Sequence, residues 1–149
     1  MRCAIVTLSD TRTAADDAGG ALLRDLLTNA GHEVVDARIL KDEPALLRAH
    51  LESLAQSGRA DALLTTGGTG ITARDSTFEA LSALFEKRLD GFGELFRMLS
   101  YADVGAAAML SRATAGTYRG MIVVALPGAP DAVQLALEKL VLPELAHMV

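Results

Sequence analysis

The residues best suited to chemistry lie between Leu63 and Glu79, in the run LLTTGGTGITARDSTFE. Gly67, Gly68 and Gly70 follow directly on the apolar stretch Ala62, Leu63, Leu64. That is the pattern of a buried strand leaving through a loop whose backbone a ligand can approach closely. Such a loop is a candidate anion cradle: its N–H groups and the hydroxyls of Thr65, Thr66 and Thr69 suit phosphate oxygens, and Arg74 supplies a nearby permanent cation. Asp75 places a carboxylate where bound phosphate would repel it, unless a divalent cation lies between them or the acid polarises a reacting group. Loop and acid together suggest a metal-nucleotide site. A tight turn followed by an ordinary helix cap accounts for the same residues differently: Asp75, Ser76 or Thr77 suits an N-cap, and Ser76 with Glu79 fits a capping box.

Two other phosphate sites can be weighed against this one. Gly-x-x-x-x-Gly-Lys-Ser/Thr occurs nowhere in the chain, which excludes a Walker-type loop. Gly68, Gly70 and Ala73 do match the dinucleotide pattern G-x-G-x-x-A, with Asp90 about 20 residues on, near the offset of a ribose-binding acid. Yet a short helix and a Gly-rich turn precede Asp90 where that fingerprint needs a strand, so the context argues against nicotinamide binding.

The elements that must position these residues alternate. Arg2 to Leu8 reads as a buried strand, and Ser9 to Thr13 as its polar exit. Asp17, Gly19 and Gly20 lead into a helix over Ala21 to Ala30, stopped by Gly31. Val34 to Leu40 is a second strand with Lys41, Asp42 and Glu43 at its exit; Pro44 then opens a helix to about Ser57, with Gly58 as its C-cap residue. Asp61 to Thr65 is the third strand. After Glu79 the pattern predicts a short helix carrying Leu81, Leu84 and Phe85, then a turn over Asp90 to Gly93. Glu94 to Tyr101 reads as a helix with Leu95, Met98 and Leu99 inward and Arg97 outward, and Gly105 to Leu110 as a tightly packed helix facing a neighbour, possible in another subunit. Ser111 and Arg112 precede a turn at Gly116 to Gly120. Met121 to Leu126 is the clearest buried strand, and Pro127, Gly128, Ala129 and Pro130 lead to a last helix from about Asp131, broken or kinked by Pro143.

This alternation implies one α/β domain over residues 1–149, a mostly parallel sheet with helices on both faces. Parallel strands would open Ser9–Thr13, Lys41–Glu43, Thr65–Gly70 and Pro127–Pro130 on one carboxyl edge, so one site could hold Asp10, Asp42, Asp75 and the glycine loop. Of the 149 residues half are hydrophobic and only 4% aromatic, with a net charge of −5 and no Lys/Arg block. The core must therefore come from aliphatic residues, and a nucleic-acid surface is not expected. No apolar run approaches a membrane span and no charged-then-apolar leader precedes the first strand, so no membrane partner and a cytoplasmic location are expected. Cys3 stands alone, and His32, His50 and His147 have no zinc-like spacing.

TTGGTGITARDSTFEA, followed by GFGELFRMLSY, LSRATAG and ALPGAP, closely resembles the MoaB/MogA family of molybdenum-cofactor biosynthesis proteins. The likeness spans nearly the whole chain and includes the SDTRT loop, Asp17 to Gly20, and Lys41-Asp42-Glu43; the C-terminal PELAHMV is closer to the MoaB branch. It implies a three-layer α/β/α sandwich assembled as a homotrimer or homohexamer. It further implies transfer of adenylate from Mg-ATP to the terminal phosphate of molybdopterin, with ATP as co-substrate and Mg²⁺ as cofactor. The essential acids match Asp42 and Asp75, which become the expected metal-holding and catalytic residues. Ser9, Asp10, Thr66, Gly67, Gly68, Thr69, Gly70, Arg74, Ser111, Arg112, Pro127 and Gly128 become the expected substrate and nucleotide contacts, with Arg97 a further candidate counter-charge. Two positions depart from the pattern: Phe78 stands where Pro is usual, and Gly19 where Ser is common. The alternative within the same family is a pterin-binding or assembly protein that does not turn over ATP.

Overall fold

A computed structural model describes residues 1–148. Six strands form one sheet in the order β2-β1-β3-β6-β5-β4: β1 (Arg2–Leu8), β2 (Glu33–Leu40), β3 (Ala62–Thr66), β4 (Lys87–Arg88), β5 (Thr114–Tyr118) and β6 (Met121–Leu126). β2, β1, β3 and β6 run parallel, whereas β5 and β4 are antiparallel additions at one edge. Strand periodicity divides the core in two. Cys3, Ile5, Leu64, Val124 and Leu126 face α1 (Ala18–Asn29), α4 (Asp90–Val104) and α5 (Pro130–Ala136); Ala4, Val6, Leu63 and Val123 face α2 (Pro44–Ser57) and α3 (Thr77–Ser82). A three-layer α/β/α arrangement results. β3, the strand that delivers the glycine loop, is buried along its whole length between β1 and β6. Cys3 lies in the same interior at 0% exposure, and burial pushes its thiol up to about 11.

Several boundaries differ from the sequence reading, each for a local reason. α1 begins at Ala18 rather than Ala21, because the Asp17 carboxylate accepts the Gly20 N–H at 3.0 Å and caps a first turn that contains both glycines. α3 begins at Thr77, before Glu79, and leaves Leu84 and Phe85 beyond its end. Asp90 to Gly93 is the first turn of α4 and not a loop; Gly93 is there because a Cβ would lie 2.9 Å from Ala113 O. β4 was not expected at all, and the predicted turn at Gly116 falls within β5. Gly116 lets Lys87 O approach to where a Cβ would be 2.7 Å away, while the reversal itself sits at Arg119 and Gly120, with φ of 46° and 81°. Two consecutive left-handed residues are what a tight hairpin requires.

The expected orientation of α4 is also corrected. Phe92, Gly93 and Phe96 are buried, whereas Leu95 is 47% and Met98 60% exposed. Arg97 is turned toward its own chain and donates to Ala113 O at 2.9 Å. Residues Gly105–Leu110 form a 3-10 helix of which only Ala108 is buried. After α5 the chain makes one π turn over Leu137–Val141 before Pro143, which cannot supply a backbone N–H, and ends in short helical turns.

Candidate active site

The four loops that parallel topology should gather do meet at the carboxyl edge. β3 ends at Thr66, and Gly67 donates its N–H to Leu126 O at 2.9 Å, so the glycine loop starts against the end of β6. Gly67 has φ 92° and Gly68 φ 71°, and a side chain on Gly67 would collide with Leu8 O at the end of β1. The Pro127–Gly128 loop lies alongside, with Gly128 in van der Waals range of Gly67. On the other side, a Cβ on Gly68 would stand 3.1 Å from Asp42 Oδ1, and one on Gly70 2.7 Å from Asp75 Oδ2. Both acids therefore flank the loop. Among the described residues the N–H groups of Gly68 and Thr69 donate to no backbone carbonyl, and of the two residues the half-buried Gly68 lies nearer the surface of the bend.

The two carboxylates differ in environment. Asp42 Oδ1 is buried and has no hydrogen-bond partner. Burial first, and then the charges of Asp10 and Asp75, hold its carboxyl above the usual carboxylate range. Asp42 does not cap the helix that follows it, since α2 starts after Glu43 without any side-chain cap. Asp75 is the opposite case. Burial alone would raise it, but the Thr72 hydroxyl at 2.8 Å, the Thr72 N–H at 2.9 Å, a Gly70 N–H bond and the Arg112 charge carry it below its ordinary value. No group of three or more His, Cys, Asp or Glu side chains among the described residues forms a metal cage. A paired-acid site that shares its cation with phosphate oxygens does fit what is present: two flanking carboxylates and one buried acceptor in need of a positive partner.

Other expected contacts need revision. Thr65, Thr66 and Thr69 are buried at 0, 1 and 4% exposure, so these hydroxyl-bearing residues lie beneath the bend rather than on its surface. Arg74 is not a free counter-charge: it forks onto Asp10 with both bonds at 2.9 Å, and Asp10 also accepts the Asp42 N–H at 3.1 Å. That pair draws Lys41–Glu43 and Ser9–Thr13 together, while Ser9 Oγ accepts the N–H groups of Thr11 and Arg12 and shapes its own loop. Ser111 is half-buried behind the loop and gives its carbonyl to Arg97 at 3.4 Å. Arg112 donates to Gly70 O and Asp75 O and pairs with Glu79. A cleft of about 390 Å³ beside Asp75 is lined by Thr72, Ser76, Glu79 and Arg112. A separate cleft of about 420 Å³ lies between α1 and the β1–β2 edge, beside Asp17 and Arg24.

Sequence reasoning missed Thr77 and Thr7. Thr77 is buried, donates its hydroxyl to Gly67 O and its N–H to Gly68 O, both at 3.2 Å, and so ties the start of α3 to the bend. Thr7 donates to Asp17 Oδ2 at 2.5 Å and connects β1 to the cap of α1. An Asp three residues before Gly20 was a readable signal for the latter; nothing in the local pattern distinguishes Thr77 from its neighbours. The two departures from the family pattern also acquire a setting. Phe78 places its ring 5.3 Å from the Arg88 guanidinium carbon and 5.5 Å from that of Arg112, and α3 forms without Pro at that position. At Gly19 a Cβ would lie 2.6 Å from Gly128 O, so here the missing side chain permits α1 to reach the β6 exit loop.

Known proteins give this arrangement its relatives. A family model described as a probable molybdopterin binding domain matches residues 4–147. Molybdenum cofactor biosynthesis protein B of Bacillus cereus is 50% identical over 149 residues, covering 99% of this chain and 88% of that protein. A crystal structure of a molybdenum cofactor biosynthesis protein B superposes with a TM-score of 0.95 at 50% identity, covering 99% of this chain and 92% of that one. The tungsten cofactor synthesizing protein MoaB from Pyrococcus furiosus follows the same fold at 38% identity and a TM-score of 0.89, covering 99% and 93%. With its sheet order, its paired acids and a match over nearly every residue, the chain belongs to the MoaB/MogA family of molybdenum cofactor biosynthesis proteins.

Proposed function

We propose that the chain catalyses Mg-ATP-dependent adenylylation of molybdopterin, giving adenylyl-molybdopterin and pyrophosphate. The observation that carries this reading is Asp42 Oδ1, a buried acceptor without a partner, facing Gly68 with a second carboxylate across the loop. Crowded acids beside the Gly68 N–H form an environment that a polyphosphate and a hard cation satisfy together. Asp42 and Asp75 would hold Mg²⁺, which would supply neutralisation of the charge on the departing pyrophosphate.

The chain's own residues do the rest. The Gly68 N–H binds a phosphate oxygen, and Pro127–Gly128 closes the opposite side of the bend. The attacking group is a phosphate oxygen of the pterin, largely ionised at neutral pH, so no strong general base is needed. That oxygen bonds to the α-phosphorus of ATP, the bond from α-phosphorus to the bridging oxygen breaks, and pyrophosphate departs with the electron pair. Catalysis then rests on bringing two polyanions together in one orientation. The exposed apolar side chains of α4, among them Met98, Tyr101 and Val104, support assembly of several copies as a trimer or hexamer.

Incubation of the purified protein with molybdopterin, ATP and Mg²⁺ tests the reaction. The expected result is adenylylated pterin, with a rate about 100-fold lower or worse for Asp75→Ala. No product from the unaltered protein, or an undiminished rate in the variant, would overturn the proposal. Tight pterin binding without ATP-dependent product would assign the non-catalytic role instead.

A further inference from the structure

We propose that Arg112 is a positioning residue for Asp75, and that Arg97 seats Arg112 for this task, so that neither guanidinium serves as a phosphate contact. The inference rests on Asp75 as a cation-handling carboxylate of the proposed reaction, and it assigns two arginines that the sequence marks only as candidate counter-charges.

Arg112 fastens the glycine loop at both ends. Its backbone N–H donates to Thr69 O at 2.8 Å, Nε donates to Gly70 O at 2.8 Å, and Nη2 donates to Asp75 O at 3.0 Å. Nη1 pairs with Glu79 on α3, and the Phe78 ring lies alongside the guanidinium. These bonds fix where the loop leaves the bend and where it re-enters a helix. Between those points, Asp75 receives the Thr72 hydroxyl and N–H on one oxygen. A planar fork that spans two carbonyls is something a guanidinium does and an ammonium cannot reproduce.

Arg97 performs the same service one layer back. Its Nη1 donates to Ala113 O at 2.9 Å and more weakly to Ser111 O at 3.4 Å, the carbonyls on either side of Arg112. Gly93, one turn earlier on α4, leaves room for that segment to pass close to the helix. α4 thereby holds residues 111–113, and residue 112 holds the loop. Arg112 turns Nε and Nη2 onto backbone oxygens and Nη1 onto Glu79, and Arg97 turns Nη1 onto two backbone oxygens of its own chain, which is why both are assigned to geometry and not to charge neutralisation.

Substitution by Lys separates the two roles. If Arg112 neutralises phosphate, Arg112→Lys retains most function; if it acts as a fork, Lys fails almost as badly as Ala. Hydrogen exchange on the full-length protein should show the Thr72 and Asp75 amides exchanging about tenfold faster in Arg112→Lys, Arg112→Ala and Arg97→Ala, with β6 amides such as Val124 unchanged. In the adenylylation assay kcat should fall by about tenfold or more while KM for Mg-ATP stays within about twofold. Unchanged loop exchange in Arg112→Ala, or full rescue of loop protection and kcat by Lys, overturns the assignment. Should Arg112→Ala fail to fold, the Arg112→Lys and Arg97→Ala comparisons decide alone. Absence of any product from the unaltered protein would defeat the proposed reaction, and the exchange data would still test the brace.

Discussion

At the scale of single residues, the informative contrast is between Asp42 and Asp75. They flank the same bend, yet their environments push them in opposite directions. Asp42 is held above its ordinary value, so the folded chain binds its proton more readily than the unfolded chain does. Its ionisation lowers stability as pH rises from the unfolded value of about 4 through the folded one, and the full cost persists above both. Asp75, held below its ordinary value, adds stability above the unfolded value and loses it as pH falls through the folded one. In metal-free buffer near neutrality, Asp42→Asn should raise Tm by about 2 °C and Asp75→Asn should lower it by about as much. Calorimetry from acid to neutral pH checks both signs, and the two differences should shrink toward the acid end.

At the scale of elements, the parallel half of the molecule was legible and the antiparallel edge was not. β1, β3 and β6 announce themselves as short aliphatic runs, and α2 carries both of its boundary signals, Pro44 at its start and a left-handed Gly58 at its end. Gly116 and Gly93 misled because glycine marks a turn and a close backbone approach with the same letter, and only tertiary context separates them. α4 misled for another reason: it is apolar on two sides, and periodicity alone does not say which side meets the core. That Asp42 and Asp75 would lie beside the bend was legible, but the partners of Arg74, Arg97 and Arg112 depend on long-range pairing that no local pattern encodes. Gly19 makes the packing argument quantitative. Ala in a helix is ordinarily better than Gly by up to about 1 kcal/mol, whereas forcing a methyl against fixed backbone costs about 1–3 kcal/mol. With Gly128 O only 2.6 Å from the added carbon, the second effect should win. Gly19→Ala is therefore expected to lose about 2 kcal/mol in denaturant unfolding and, under the proposed function, to weaken Mg-ATP binding through the displaced β6 exit loop.

For the whole molecule, the outer side of α4 and the 3-10 turn after it set the terms. Leu95, Met98, Tyr101, Val104 and Met109 are 47, 60, 64, 59 and 77% exposed, an apolar stripe on a chain whose net charge is −5. A stripe of this kind is the usual mark of association between copies. Under the proposed assembly, Met98→Asp should shift the protein toward monomer in sedimentation or light scattering, with assembly weakened by about tenfold or more, while the fold signature in far-UV dichroism stays unchanged. No helix among the described residues is long and apolar enough to cross a membrane. The deep placement of Cys3 has its own outcome. The chain's one sulfhydryl is sealed in the central layer with its thiolate suppressed, so thiol-directed electrophiles and oxidants meet no thiol target while the molecule stays closed. Chemical ageing at that position thus becomes a clock for global opening, counting only the moments when the sheet comes apart.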